Sequence, residues 1–111
     1  MSYAPRRGDI VRVSFNPGRG SEQAGVRPAL VLSNSRYNSR TGMMLCCPIT
    51  SSIKGYSTEV PLPQGLQTMG VVLSGQIRAM DWRSRVPEFV EAVPNDLLEQ
   101  TLDVLLALME S

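Results

Sequence analysis

Histidine is missing from the 111-residue sequence, and its absence removes a large set of mechanisms. A Ser-His-Asp triad cannot be built, nor can a two-histidine ribonuclease site, because both need an imidazole that titrates near neutral pH. Cysteine is scarce as well, with Cys46 and Cys47 the only two. Neighbours in a strand point to opposite faces, so this pair is poorly placed to form a disulfide. With no histidine and no CxxC, a structural zinc site has almost no ligands to draw on. The two thiols are therefore read as small core residues of a reducing compartment. There is no GxxxxGK[ST] loop and no GxGxxG turn, which removes the common nucleotide-binding loops. No apolar run reaches the length of a bilayer span, and the longest candidate, Leu97 to Met109, is broken by Glu99, Gln100 and Asp103. The opening MSYAPRRGD has no apolar core and no small-residue cleavage site. No signal peptide and a cytoplasmic location are thus expected.

What is present is unevenly spread. Residues 1–86 hold all eleven bases and four acids, a net of +7, whereas residues 87–111 hold six acids and no base, a net of −6. The overall charge of +1 hides that split. The length and the 42% apolar content fit a single globular domain over 1–111 with one real core.

Alternation in Gly8 to Phe15, with Val11, Val13 and Phe15 on one side, predicts a half-buried strand. Residues 16–27 form a polar loop, longer than a hairpin needs. Pro28–Ser33 and Met43–Ile49 read as central strands, with a basic loop, Asn34–Gly42, between them. Shorter strands follow at Thr58–Leu62, at Val71–Leu73, around Ile77–Met80 with Arg78 facing away, and at Phe89–Val93. Trp82–Arg85 reads as a polar exit. Five to seven short strands with Gly and Pro punctuation indicate a small barrel or sandwich. From Pro94 to Ser111 the pattern becomes helical, with Pro94 at the first helical position and a stripe of Leu98, Leu102, Leu105 and Met109. A helix so broadly apolar must pack on the sheet or across a partner.

Arginine dominates the chemistry that remains, supplying ten of the eleven bases. Its planar fork suits a phosphate oxygen pair. Arg27 stands at the mouth of a predicted buried strand, its backbone held extended by Pro28. Glu22 lies in the same loop, as a surface carboxylate or as a group that orients Arg27 or handles a proton. Thr50 and Ser51 end another strand, as capping hydroxyls or, if they approach Arg27, as site residues. The few aromatics are scattered, which argues against a bare stacking platform for single strands.

The run Gly20-Ser21-Glu22-Gln23-Ala24-Gly25-Val26-Arg27-Pro28, with the GDIVRVSFNP opening, Pro48-Ile49-Thr50, Lys54-Gly55-Tyr56 and Gln76-Ile77-Arg78, resembles the MazF/PemK family of toxin endoribonucleases. The resemblance covers nearly the whole chain. It implies a mostly β fold with a C-terminal helix, a small SH3-like barrel assembled as a homodimer. It implies metal-independent, sequence-selective cleavage of single-stranded RNA without cofactors, leaving a 2′,3′-cyclic phosphate and a 5′-OH. It also implies a cognate antitoxin with an acidic, disordered C-terminal segment, and no membrane. By position, Arg27, Thr50 and Glu22 are the expected catalytic residues. Asn16, Arg19, Ser21, Gln23, Ser51, Lys54, Gln76 and Arg78 are the expected RNA contacts, and Gly18 to Gly25 the loop that covers substrate. Gly75 stands where many relatives carry Asp. The alternative is a non-enzymatic toxin of the same fold that binds and poisons DNA gyrase.

Overall fold

The computed structural model describes residues 3–110, so Met1, Ser2 and the expected helical residue Ser111 lie outside the described residues. Alternating apolar residues form the first strand, β1 (Asp9–Ser14), which pairs antiparallel with β2 (Val26–Val31) and, on its other edge, with β7 (Glu88–Ala92). The longest strand, β3 (Met43–Thr50), pairs with β2 along one edge. Its other edge is shared by two short strands in succession. Met43–Cys46 pairs with β6 (Arg78–Asp81), and Ile49–Thr50 pairs with β5 (Val71–Leu73). A 3-10 turn, Ser74–Gln76, joins β5 to β6 beside the middle of β3. The remaining strand, β4 (Glu59–Pro61), pairs with β5. The hydrogen-bonded path runs β4-β5-β3-β2-β1-β7, and its end strands do not meet. The fold is the expected mostly β sheet with a C-terminal helix, compatible with an SH3-like barrel that is left open.

The inner strands are buried on both faces, because two cores sandwich them. Ile10, Leu30, Cys47 and Ile49 face the C-terminal helix α3 (Asn95–Met109), which contributes Leu97, Leu98 and Leu105. Val11, Val13, Phe15, Ala29, Val31, Met44 and Cys46 face the other way, under Met80 and Trp82. The adjacent cysteines divide between the two cores, as strand geometry requires. Both are free, and burial pushes each thiol up to about 12. For Cys46, Arg78 and Arg85 work against that rise.

Four expectations need correction. The segment Asn34–Gly42 is not a loop, because Ser35–Thr41 forms helix α1. The Asn34 side chain accepts from Tyr37 N at its start, and Gly42, at φ +72°, closes its end in the left-handed region. The helix is polar because it packs through one buried amide. Asn38 Nδ2 donates to Pro5 O and Ser33 O. In β6 the phase is reversed: Arg78 and Met80 turn inward while Ala79 is exposed. Trp82 is buried and opens helix α2 (Trp82–Arg85), its indole N–H donating to Asn38 O at 2.9 Å. Pro94 is the N-cap of α3 and not its first residue. Along α3 the apolar stripe is covered as far as Leu105, and Leu106, Leu108 and Met109 are exposed. Among the described residues no helix is long and apolar enough to cross a membrane.

Candidate active site

The register of β2 on β3 brings two of the expected site residues together. Ala29 lies opposite Pro48 and Leu30 opposite Cys47. Beyond that pairing Arg27 is held by Val13 of β1 and Thr50 by Val71 of β5, and the two strand ends open onto common space. Both line a cleft of about 480 Å³ with Ser21, Gln23, Lys54 and Gln76. On the far side they line a second cavity of about 370 Å³.

Thr50 is 7% exposed and tightly framed. Its Oγ1 accepts from Ser52 N at 3.1 Å, which leaves the hydroxyl proton available to a ligand. Behind it Gly70, at φ +118°, lies so close that a Cβ there would come within 2.1 Å of Thr50 O. Arg27 is half-buried, and its Nε donates to Ala24 O at 2.8 Å. That bond fixes the plane of the guanidinium and leaves both terminal NH2 groups to grip an anion.

Glu22 is not brought to this pair. Its Oε1 accepts from Arg19 N at 3.0 Å, and the residue lines a different cavity, about 350 Å³, with Phe15, Pro17 and Arg78. Gln23 and Gln76 line both that cavity and the Arg27–Thr50 cleft. They are joined there, because Gln76 Oε1 accepts from Gln23 N at 2.9 Å while its Nε2 reaches Ser21 O at 3.5 Å. Gln76 thus clamps the loop to the sheet. Asn16 and Arg78 also act as braces. Asn16 Oδ1 accepts from Gly25 N, while Arg78 Nη1 donates to Phe15 O and its guanidinium lies over the Phe15 ring. Arg85 adds donations to Ser14 O and Asn16 O. Ser51 lines the second cavity, and Arg19 is exposed on the loop.

Sequence reasoning missed several lining residues. Glu59 faces the main cleft, and its carboxylate accepts from Lys54 N and Gly55 N, so it shapes the Lys54–Tyr56 turn. Arg12, Gln67, Thr68 and Met69 line the second cavity. Arg12 was legible only as the outer face of a strand, and nothing in the sequence tied the 67–69 segment to Arg27. Among the described residues no three His, Cys, Asp or Glu side chains gather as metal ligands.

The site is an open cleft floored by an arginine and a threonine, on a barrel-like sheet with a basic body. Comparison with known proteins gives the family. Residues 6–109 match the family model for the PemK-like, MazF-like toxins of type II toxin–antitoxin systems, and the chain belongs to that family. It is 51% identical over 83 residues to the endoribonuclease toxin MazF of Escherichia coli K12, covering 75% of this chain and 74% of that one. It is 39% identical over 110 residues to the endoribonuclease toxin ChpB of the same organism, covering 94% and 93%. A crystal structure of MazF from Deinococcus radiodurans superposes with a TM-score of 0.93 at 46% identity, covering 97% of this chain and 98% of that one. A MazE–MazF structure from that organism superposes at 0.86 with 42% identity, covering 97% of each.

Proposed function

We propose that this toxin is an endoribonuclease that cuts single-stranded RNA at short sequence motifs, without a metal, by attack of a 2′-OH on the adjacent phosphate. The observation that carries the reading is that Arg27 and Thr50 line one open cleft together. RNA brings its own nucleophile, so the protein has to align it, stabilise phosphoryl charge and manage two protons. The O2′–P bond forms as the 2′ proton passes to solvent water, and the P–O5′ bond breaks as the 5′-oxygen takes up a proton from solvent, leaving a 2′,3′-cyclic phosphate and a 5′-OH. Arg27 neutralises charge on the phosphoryl oxygens and hydrogen-bonds toward the leaving 5′-oxygen. Thr50 donates its hydroxyl proton to a phosphate oxygen and fixes its orientation. Arginine titrates far above neutrality, which suits it to charge stabilisation and not to removing the 2′ proton. Glu22 joins this centre only through a shift of the Gly18–Gly25 loop, so Arg27 and Thr50 are its fixed members.

The main cleft offers polar side chains from Ser21, Gln23, Lys54 and Gln76 for reading or holding RNA. The +7 body suits a polyanion, and it equally suits the acidic, disordered segment of a cognate antitoxin. Assembly as a homodimer would cover apolar residues such as Leu106 and Met109. The relatives' names as endoribonuclease toxins and the MazE–MazF complexes support this reading over gyrase poisoning.

The direct test is incubation of the purified protein with a pool of unstructured RNA in excess chelator, followed by end analysis. Cleavage with cyclic-phosphate and 5′-OH ends is expected. Intact RNA across the whole pool would refute the proposal.

A further inference from the structure

The second cavity extends the Arg27–Thr50 floor away from the main cleft and has a construction of its own. It is lined by Arg12, Gln67, Thr68 and Met69 beside Arg27, Thr50 and Ser51. Its volume, about 370 Å³, lies within the range of small-molecule sites, roughly 300–1,000 Å³. Arg12 rises from the centre of β1, where it pairs with Pro28 of β2, and its side chain is exposed. The Arg12 backbone is held between β2 and β7, and its exposed guanidinium presents a positive charge at the cavity.

The opposite wall is the 67–69 segment, and one carboxylate holds it. Glu91 Oε1 accepts from Gln67 N at 3.0 Å, and Oε2 accepts from Thr68 N and Thr68 Oγ1, each at 2.8 Å. Burial alone would raise the Glu91 pKa, but these hydrogen bonds outweigh it and hold the carboxyl below its ordinary value. Glu91 does not itself line the cavity, so its charge is turned into the loop and away from an incoming anion. Glu88 is the acid nearest Arg12 by register, across β7. At the rim Met69 stands 79% exposed, a large polarizable side chain set where an aromatic face could lie against it.

An exposed guanidinium on an anchored strand, a braced polar wall and an exposed thioether are the parts of a site for one nucleotide of a single strand. They supply a charge for the phosphate, polar edges and a surface for the base. We propose that this cavity is a flanking-nucleotide subsite, in which Arg12 holds the phosphate next to the scissile one and Met69 packs on the neighbouring base. The proposal rests on the ribonuclease reading for the direction of the strand through Arg27 and Thr50. Arg12 is here a binding residue, and Glu91 a positioning residue that acts through Gln67 and Thr68.

The probe is a labelled single strand with 2′-fluoro sugars, which cannot be cleaved through a 2′-OH. Its Kd is measured at several salt concentrations for the unsubstituted protein, Arg12→Gln and Met69→Ala. Arg12→Gln should weaken binding about tenfold and reduce the slope of log K against log salt by about 0.7, the value for one phosphate contact on a single strand. Met69→Ala should weaken binding about threefold with no change of slope. An unchanged Kd and slope in Arg12→Gln would overturn the subsite. So would an equal loss of affinity with the slope unaltered, since Arg12 would then act through the fold. RNA cleavage assayed in parallel keeps the two readings apart. A cutting enzyme with an unaffected Arg12→Gln defeats only the subsite, and an enzyme that cuts nothing defeats the ribonuclease reading.

Discussion

The strand floor and the Asn16–Gly25 loop meet at the same cleft but are held by different forces. On the floor, Arg27 and Thr50 are positioned by backbone register, with buried neighbours beneath and Gly70 packed behind Thr50. The loop is held chiefly by side chains reaching carbonyls and amides: Asn16 to Gly25, Gln76 to Gln23 and Ser21, Arg78 to Phe15, and Arg85 to Ser14 and Asn16. Register is cooperative and tolerates little, because it is shared with the core. Clamps are individually worth about 1 kcal/mol and can be removed one at a time. The floor is therefore suited to chemistry and the loop to selection and regulation.

The largest effect is expected where the floor is touched from behind. Gly70→Ala would set a Cβ against Thr50 O and require a φ that alanine rarely adopts. Loss of more than about 3 kcal/mol in chemical denaturation and loss of cleavage are expected. Near-normal stability would show that β3 and β5 tolerate slippage, against the rigid floor described above. A smaller total effect, confined to rate, is expected from Arg27→Ala. Single-turnover cleavage should fall about a thousandfold while stability moves by less than about 1 kcal/mol. A variant that cuts normally would remove Arg27 from the reaction.

On the loop side, Gln76→Ala removes one clamp and leaves the floor intact. KM should rise about tenfold with a smaller change in kcat, as steady-state kinetics would reveal. A loss of kcat as large as that of Arg27→Ala would erase the distinction between floor and loop. The smallest effect is expected away from both regions, at Val86. This β-branched residue is 78% exposed and holds φ +48° as the C-cap of α2. Val86→Gly should raise stability by about 0.5–1 kcal/mol in a thermal melt, relief of strain exceeding the added chain entropy.

The sequence made the floor legible and the loop's attachments illegible. Alternation in β1 and the continuous apolar runs of β2 and β3 report burial directly, since strands buried on both faces must be apolar throughout. Arg27 and Thr50 stand at the ends of those runs, so their strand-end positions were legible, but their joint role was implied only by the family resemblance. Helix α1 gave no such signal, because it packs through Asn38 and carries no apolar stripe. Its markers were Asn34 and Gly42, which read equally well as loop residues. Arg78 misled because its inward face is satisfied by an aromatic ring and a carbonyl and not by apolar contact. Glu22 was placed with Arg27 by proximity in sequence; its hydrogen bond to Arg19 N is local to the loop, whereas its side of the Gln23–Gln76 bridge is a long-range outcome of packing.

The central claim is that the Arg27–Thr50 floor works on RNA's own 2′-OH, and one substrate substitution tests it most directly. A cleavable oligonucleotide is compared with the same strand carrying a single 2′-deoxy sugar immediately 5′ to the cut phosphate. The ribo strand should be cleaved and the deoxy strand should stay intact at that linkage, although both bind. Cleavage of the deoxy strand at an equal rate would contradict the account, because the nucleophile would then have to come from elsewhere.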